Sequence, residues 1–450
     1  MERVKRVFRR TPSYQPLLEN GGADTDHGND WDERDGREGE KKFSWMDYLI
    51  FMLIGVAMLW AWNMFLAAGP YFQRRFQSSP WVLKNFQAAE LSISTVANLG
   101  AMLLLTNLQA RANYPGRIIW SLVINMVAFT LLAISTRLFT SVSAGVYFGF
   151  VLVMVLAASL AAGLCQNGVF AYVSGFGREE YPQGIMTGQA VAGVLPCIAQ
   201  IVSVMGAPAK DKGNGVPEQS STSAFSYFLT ATAVSLLTLV AFLYLVARNR
   251  DKHGKKLVPD NAPAEDAVRR SVPMLTLLSK LRWLAGAVFL TFGITMVFPV
   301  FTQKIESVNP PAPDNHFPIT QPASFIPLAF LFWNSGDLVG RLCTGIPALR
   351  LTSRPKLVFI LSVARVIFIP MYLLCNIRNE GAKIPSDFFY LVIVQFLFGL
   401  TNGFIGSTCM MGAVDWVDPE EREAAGGFMG LCLVSGLTVG SLLSFLAAGS

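Results

Sequence analysis

Eleven runs of predominantly apolar residues follow one another along the 450-residue chain, each near the length of about 20 that a helix needs to cross the hydrocarbon of a bilayer. They cover roughly residues 45–70, 85–107, 117–138, 145–172, 184–205, 224–247, 284–303, 323–347, 356–377, 387–412 and 424–447. Stretches such as "LSISTVANLGAMLLL" and "VLVMVLAASLAAGLC" are continuous rather than alternating, so they read as helices and not as strands of a membrane barrel. With 52% hydrophobic residues, only 15% charged and mean hydropathy +0.43, the chain is too apolar for ordinary soluble domains. The expected fold class is an all-α polytopic membrane protein with eleven transmembrane helices.

The first apolar run starts after some forty polar residues, so no secretory signal peptide is expected and the first span serves as its own insertion signal. A cytosolic N-terminus assigns about 25 basic residues to inside segments and about 9 to outside ones, the direction the positive-inside rule requires. The odd count then leaves the C-terminus extracytosolic. The net charge of +6 is therefore a topology signal rather than a nucleic-acid footprint. Cys165, Cys197, Cys343, Cys375, Cys409 and Cys432 all fall in the predicted helices and read as packing residues, while His27, His253 and His316 fall in predicted loops without metal-ligand spacing. There is no Walker sequence and no catalytic Ser or Cys elbow, so neither a cofactor nor direct ATP drive is expected, and the chain does not read as an enzyme.

Residues 1–42 are charged and poor in aliphatic side chains, too polar to fold alone, and read as a disordered cytosolic tail. Within it the pair Leu17, Leu18 is either a dileucine signal that engages sorting adaptors or two incidental leucines; no acidic residue stands four positions before it. Residues 248–282 form a long basic connection that divides the chain into a six-helix part, 43–247, and a five-helix part, 283–450. Two bundles rocking about a site near the bilayer midplane would have this layout.

The run around "LFWNSGDLVGRLCTG" carries Asp337 and Arg341, each costing about 2.5–3.5 kcal/mol at mid-helix where a Leu or Phe returns only about 0.3–0.6. Four residues apart, they share one helical face and can neutralise each other. Either they glue helices together, or the carboxylate acceptor and guanidinium donor meet hydroxyls of a polar, uncharged solute. The first span places Trp60, Trp62 and Asn63 deep in apolar sequence, where indole faces can stack on a planar ligand or pack on other helices. Gln166 in "LCQNGVFAYVSGFG" offers an amide that both donates and accepts. Glycines at three- and four-residue spacings in "GIMTGQAVAGVLP" and "GGFMGLCLVSGLTVGSLL" allow close helix approach, moving or static, and Pro299 and Pro370 are expected kinks.

Five patterns together resemble the equilibrative nucleoside transporter family, over about Ser44 to the C-terminus. They are "LWAWNMFLAAGPYF", "QNGVFAYVSGFGREEYPQGIMTGQAVAG", "FWNSGDLVGR", "ARVIFIPMYLLCN", and "NGFIGSTCMMGAV" with "EREAAGGFMGLCLVSGLTVGSLLSF". The resemblance implies a major-facilitator-like pair of bundles, six helices and five. It also implies passive, alternating-access transport of purine and pyrimidine nucleosides such as adenosine and uridine, with nucleobases as a further class. By position, Gln166 matches the residue that hydrogen-bonds the base, and Asp337 and Arg341 match the pair that meets the ribose. Leu59, Trp62, Asn63 and Leu66 match the first helix's share of the cavity, and Arg117, Asn334 and Glu423 match the cytosolic gate. One departure stands out: the family usually has Pro immediately before the first-helix Trp-Asn, and here it is Ala61, beside an extra Trp60, which implies a straighter helix.

An equilibrating carrier needs no ion site, and few charged residues other than Asp337, Arg341 and Arg365 lie in the spans. Glu90 is the candidate for proton coupling, Asp47 lies near the inner end of the first span, and Arg365 is expected to anchor a packing network with a carboxylate. The competing readings are a proton-coupled or sugar-type carrier of the same architecture and, from another class, a membrane receptor or scaffold. The residence expected is vacuolar or endolysosomal, or the plasma membrane.

Overall fold

The computed structural model describes residues 43–109, 112–138, 141–206, 221–254, 272–309 and 319–448. The tail with Leu17, Leu18 and His27, the middle of the long connection, and His316 lie outside them.

The chain enters α1 (Trp45–Ala67) behind Ser44, whose hydroxyl accepts from the Asp47 amide at 3.4 Å as an N-cap. α1 is unbroken through Ala61, as the missing proline implied. The face where α1 begins is termed proximal and the opposite one distal. A short α2 (Gly69–Arg75) turns the chain on the distal side, and α3 (Pro80–Asn107), α4 (Tyr114–Leu138), α5 (Ala144–Ser174), α6 (Glu180–Gly206) and α7 (Ser221–Gly254) follow. After these come α8 (Met274–Thr295), α9 (Val297–Thr302), α10 (Pro322–Cys343), α11 (Pro355–Ala364), α12 (Phe368–Tyr372), α13 (Leu397–Gly412) and α14 (Arg422–Ala448). A widened π-type stretch, Phe389–Phe396, leads into α13.

Ten helical spans are long and apolar enough to cross a membrane among the described residues. Eleven were expected. The difference is α10, whose 22 residues reach about 33 Å at 1.5 Å per residue but whose Asn334, Asp337 and Arg341 lower its apolarity. The predicted boundaries also shift. α7 extends through Gly254 and α8 begins at Met274, so the connection read at 248–282 starts and ends in helix. Lys280 and Arg282 masked this extension by diluting the hydropathy, although Leu277 and Leu281 on the same turns are buried. His253 consequently lies in the last turn of α7 rather than in a loop, and Cys375 lies in a turn just past α12 rather than in a helix. All six cysteines are free.

The proline kinks follow from backbone chemistry. A proline removes the hydrogen bond to the carbonyl four residues earlier. Pro299 is in α9, and the break between α8 and α9 falls at Met296, beside Thr295; Pro370 is in α12, and a 3-10 turn at Arg365–Ile367 spans Val366.

α1 packs on α6 and α7, α3 on α5, and α4 on α5 and α7; separately α8 packs on α11, α13 and α14, and α10 on α13. The two sets meet where α6 touches α10 and α13, and where α14 touches α5 and α3. Within each set glycines bring backbones together: a Cβ on Gly188 would stand 1.9 Å from the Met52 carbonyl of α1, and one on Gly403 would stand 1.9 Å from the Asp337 carbonyl of α10. Between the sets α6 lies against α10 from Arg341, near the proximal end, to Asn334, which meets Gly193 and Cys197. α6 is buried on all sides from Tyr181 to Ala190, whereas Leu195, Ile198 and Val202 in its distal half are exposed.

Candidate functional site

A cavity of about 180 Å³ lies between α1, α3, α4 and α5, with Leu437 of α14 at its edge. Its polar lining is specific. Asn98 Oδ1, Asn125 Oδ1 and Gln166 Oε1 are buried and meet no hydrogen-bond donor among the described residues, and all three residues face the same cavity. A buried acceptor left unmade costs about 1–3 kcal/mol, and the three residues that carry these oxygens stand in the wall of one cavity. Ser94 and Ser159, joined Oγ to Oγ at 2.9 Å, sit beside them. The Trp62 ring forms another wall, stacked on Phe65 at 5.8 Å and 19°, with Leu59 and Ala61 on the same helix. The site therefore presents flat aromatic surface and amides, without a charged lining residue. That suits a neutral, planar, hydrogen-bonding solute.

Of the residues expected in the cavity, Leu59, Trp62 and Gln166 line it together. Asn63 does not: its Nδ2 donates to the Ala192 carbonyl at 2.7 Å and holds α1 to α6. Leu66 points away and is 56% exposed. Asn98 and Asn125 were missed, although each is a lone amide in an apolar run, the signal that drew attention to Gln166.

Asp337 and Arg341 also lie outside this cavity. They form an ion pair, Nε to Oδ2 at 2.7 Å, with both residues under 5% exposed. The second carboxylate oxygen accepts from Asn402 Nδ2 at 2.7 Å on α13, while Arg341 Nη1 donates to the Met186 carbonyl at 2.5 Å and to Gln189 Oε1 at 3.2 Å on α6. Gln189 itself sits 3.9 Å from the Met58 sulfur, which faces the cavity. The network continues to Arg365, which donates to Asn402 Oδ1 at 3.3 Å, Thr295 Oγ1 at 3.0 Å and the Thr291 carbonyl at 2.5 Å. The carboxylate expected beside Arg365 is thus Asp337, reached through Asn402 rather than directly.

The three expected gate residues each have neighbours of their own. Arg117 bonds Asn167 Oδ1 and the Leu105 and Leu108 carbonyls, tying α4 to α5 and to the end of α3. Asn334 donates to the Phe330 carbonyl at 2.8 Å and lies against Gly193, where a Cβ would stand 2.3 Å from its Oδ1. Glu423 lies against Gly175 at the α14–α5 contact. Glu90 on α3 is 6% exposed, its Oε1 has no hydrogen-bond partner among the described residues, and it does not reach the cavity.

The proximal contact between the two sets is electrostatic as well. Glu179, just before α6, pairs with Arg350 at 3.5 Å and adjoins Asp415, with Glu180 and Arg422 nearby. Burial, and next the Asp415 carboxylate, raise the Glu179 carboxyl above the usual range, with Arg350 opposing. A raised value means that the closed proximal contact holds this proton more tightly than separated helices would. Closure is therefore favoured below the ordinary carboxylate value near about 4.3 and loses that contribution as pH rises through the raised one. Glu179→Gln is expected to flatten the pH dependence of uptake above the ordinary carboxylate range; an unchanged profile would remove Glu179 from the gating charge.

This fold, with amides and an indole around a cavity in its first set of helices, is that of a membrane carrier. The chain is similar over 89% of its length to the proton:xylose symporter XylE (TM-score 0.58, 11% identity, 87% of that chain). It is also similar over 90% to FucP in its outward conformation (TM-score 0.53, 14% identity, 97% of that chain). Both are major facilitator superfamily transporters, and the fold is theirs. The family description "Nucleoside transporter" matches residues 152–448, and the chain belongs to that family. It is 29% identical to nucleoside transporter FUN26 of Saccharomyces cerevisiae, over 90% of this chain and 84% of that one. To equilibrative nucleoside transporter 1 of Homo sapiens it is 26% identical, over 89% and 96%. Family and fold are those of transporters, not of enzymes.

Proposed function

We propose that the chain is a passive, alternating-access carrier of purine and pyrimidine nucleosides, adenosine and uridine among them, with nucleobases as a further class. The observation that carries this reading is the convergence of the unpartnered amides of Asn98, Asn125 and Gln166 on a cavity walled by Trp62. A base stacked on the indole supplies N–H donors to those carbonyls. Asp337 and Arg341 meet the ribose when α6 and α10 part, because Gln189 and the Met186 carbonyl then release the guanidinium. Proximal closure with distal exposure of α6 is one end state of that cycle, and Arg117, Asn334 and Glu423 belong to the gate that opens the other.

The working units of this reading are two bundles, 43–247 and 283–450, with α10 as an eleventh crossing. The basic segments at the proximal face support a cytosolic N-terminus and an extracytosolic C-terminus. Residence is vacuolar or endolysosomal if Leu17, Leu18 sorts the chain, and plasma membrane otherwise. A fluorescent fusion carrying Leu17→Ala and Leu18→Ala is expected to move to the cell surface, and identical placement of both fusions would discard the sorting role.

The direct test is uptake of labelled adenosine and uridine into liposomes holding the purified protein, without an ion gradient. Saturable uptake that stops at equal concentrations is expected, falling about tenfold or more in Gln166→Ala and Asn125→Ala through lost hydrogen bonds worth about 1–3 kcal/mol each. The buried, unpartnered Glu90 favours a second reading, proton coupling. It replaces the first if uptake requires an inward proton gradient and Glu90→Gln removes that requirement.

A further inference from the structure

A second cavity, about 580 Å³, opens at the proximal ends of α8 and α11. It is unlike the first in its charge. Lys280, Arg282, Arg354 and Lys356 line it together with Trp283 and Trp416, and no acidic side chain does. Lys280 is already neutralised, by Asp418 at 2.9 Å and Glu421 at 2.6 Å. Arg282, Arg354 and Lys356 have no carboxylate partner among the described residues, and all three are exposed. Packing nevertheless positions two of them: the Arg282 guanidinium lies 5.5 Å and the Lys356 ammonium 6.0 Å from the centre of the Trp283 ring.

Two further features select the occupant. α11 starts at this cavity with Arg354 at its N-cap and no side chain capping it, so the positive end of a ten-residue helix adds to the three cations. Below that terminus Leu357, Ile360 and Leu361 of the same helix are exposed. The cationic cavity thus continues into an apolar strip that faces the hydrocarbon of a bilayer. Trp416, 43% exposed and held by its Nε1 to the Thr352 carbonyl at 3.1 Å, stands at the boundary in the manner of interfacial tryptophans. A free anion would use the cations alone. A molecule with a phosphate head and acyl chains uses both.

We propose that this cavity binds the phosphate-bearing headgroup of an anionic phospholipid from the proximal leaflet, its chains running along α11. The site is separate from the substrate cavity. It rests on the cytosolic placement of the proximal face only for the lipid's abundance there, since anionic lipids concentrate in the cytosolic leaflet. A lipid seated against α8, α11 and Trp416, which ends the 3-10 turn Ala413–Trp416 after α13, would brace the second set of helices at the end where it meets the first.

The test uses the purified full-length chain in neutral detergent. It is titrated with dioctanoyl phosphatidylinositol 4-phosphate, dioctanoyl phosphatidylcholine, inositol phosphate and inorganic phosphate, with binding read by native mass spectrometry. The anionic lipid is expected to bind and the other three to bind at least about tenfold more weakly. Each cation near an anionic surface contributes about fivefold, so the triple variant Arg282→Gln, Arg354→Gln, Lys356→Gln should bind about a hundredfold more weakly. A control removing three distal cations, Arg74→Gln, Lys84→Gln and Lys383→Gln, should bind as the parent does. If the triple variant does not fold, the single variants Arg354→Gln and Lys356→Gln carry the test at about fivefold each. Undiminished binding by the charge variants, or equal binding of phosphatidylcholine, overturns the proposal. Equal binding of inositol phosphate or inorganic phosphate overturns the lipid and leaves a free-anion site. Adenosine uptake by the triple variant, measured after reconstitution of the same preparations into liposomes, separates failure of this site from failure of the transport reading.

Discussion

Replacing Asp337 by alanine is expected to abolish nucleoside uptake and to lower the yield of folded protein sharply. The change leaves the Arg341 guanidinium, 4% exposed, without its carboxylate, and leaves Asn402 Nδ2 without its acceptor. Removing one partner of a buried ion pair costs about 3–5 kcal/mol, a large part of the 5–15 kcal/mol by which domains are typically stable. Removing both partners has a different consequence. In Asp337→Ala combined with Arg341→Leu the Arg341 charge leaves with its partner, Arg365 keeps its Thr291, Thr295 and Thr401 acceptors, and apolar replacement of a buried pair is often neutral or stabilising. The double variant should therefore recover monodisperse protein while uptake stays absent. Recovery of uptake along with folding would show the pair to be structural glue, with no role toward the sugar. Size-exclusion profiles and liposome uptake of both variants decide between these outcomes.

The sequence made the pair legible because its insertion cost has no local compensation. It did not show where the compensation lies. Arg341 is satisfied from α6, some 150 positions earlier in the chain, and Asp337 from Asn402 on α13. Such partners depend on how helices rotate against one another, and an all-round apolar helix carries no strong periodic signal for that rotation. The same blindness separates Asn63 from Asn98 and Asn125. All three are amides in apolar runs, yet Asn63 ties α1 to α6 and the other two face the cavity. Length and apolarity fixed the crossings well, and failed where function intrudes. α10 falls short of the composition because it carries the polar network, and the start of α8 was missed because Lys280 and Arg282 face the proximal surface.

Glycine spacing shows the same limit, and it leads to the second large effect. α14 carries glycines of two kinds. Gly436 and Gly440 pack on Phe289 and Gly293 of α8, within one set of helices, and a Cβ on Gly440 would stand 2.1 Å from the Gly293 carbonyl. Gly426 instead packs across to the other set, where a Cβ would stand 2.2 Å from the Phe170 carbonyl and 2.3 Å from Ser174 Oγ on α5. If the two sets separate at this face during transport, a methyl at Gly426 clashes in only one of the two end states. Overpacking of this kind costs about 1–3 kcal/mol, enough to shift a two-state ratio by about 5- to 150-fold. Gly426→Ala should therefore fold, disfavour proximal closure, and lower uptake by at least about tenfold. Gly440→Ala meets its clash in every state and should lose folded protein instead. Thermal unfolding together with uptake of both variants tests the contrast. Equal destabilisation by the two substitutions would mean that the α14–α5 contact does not open, and with it would go the alternating motion on which the transport reading depends.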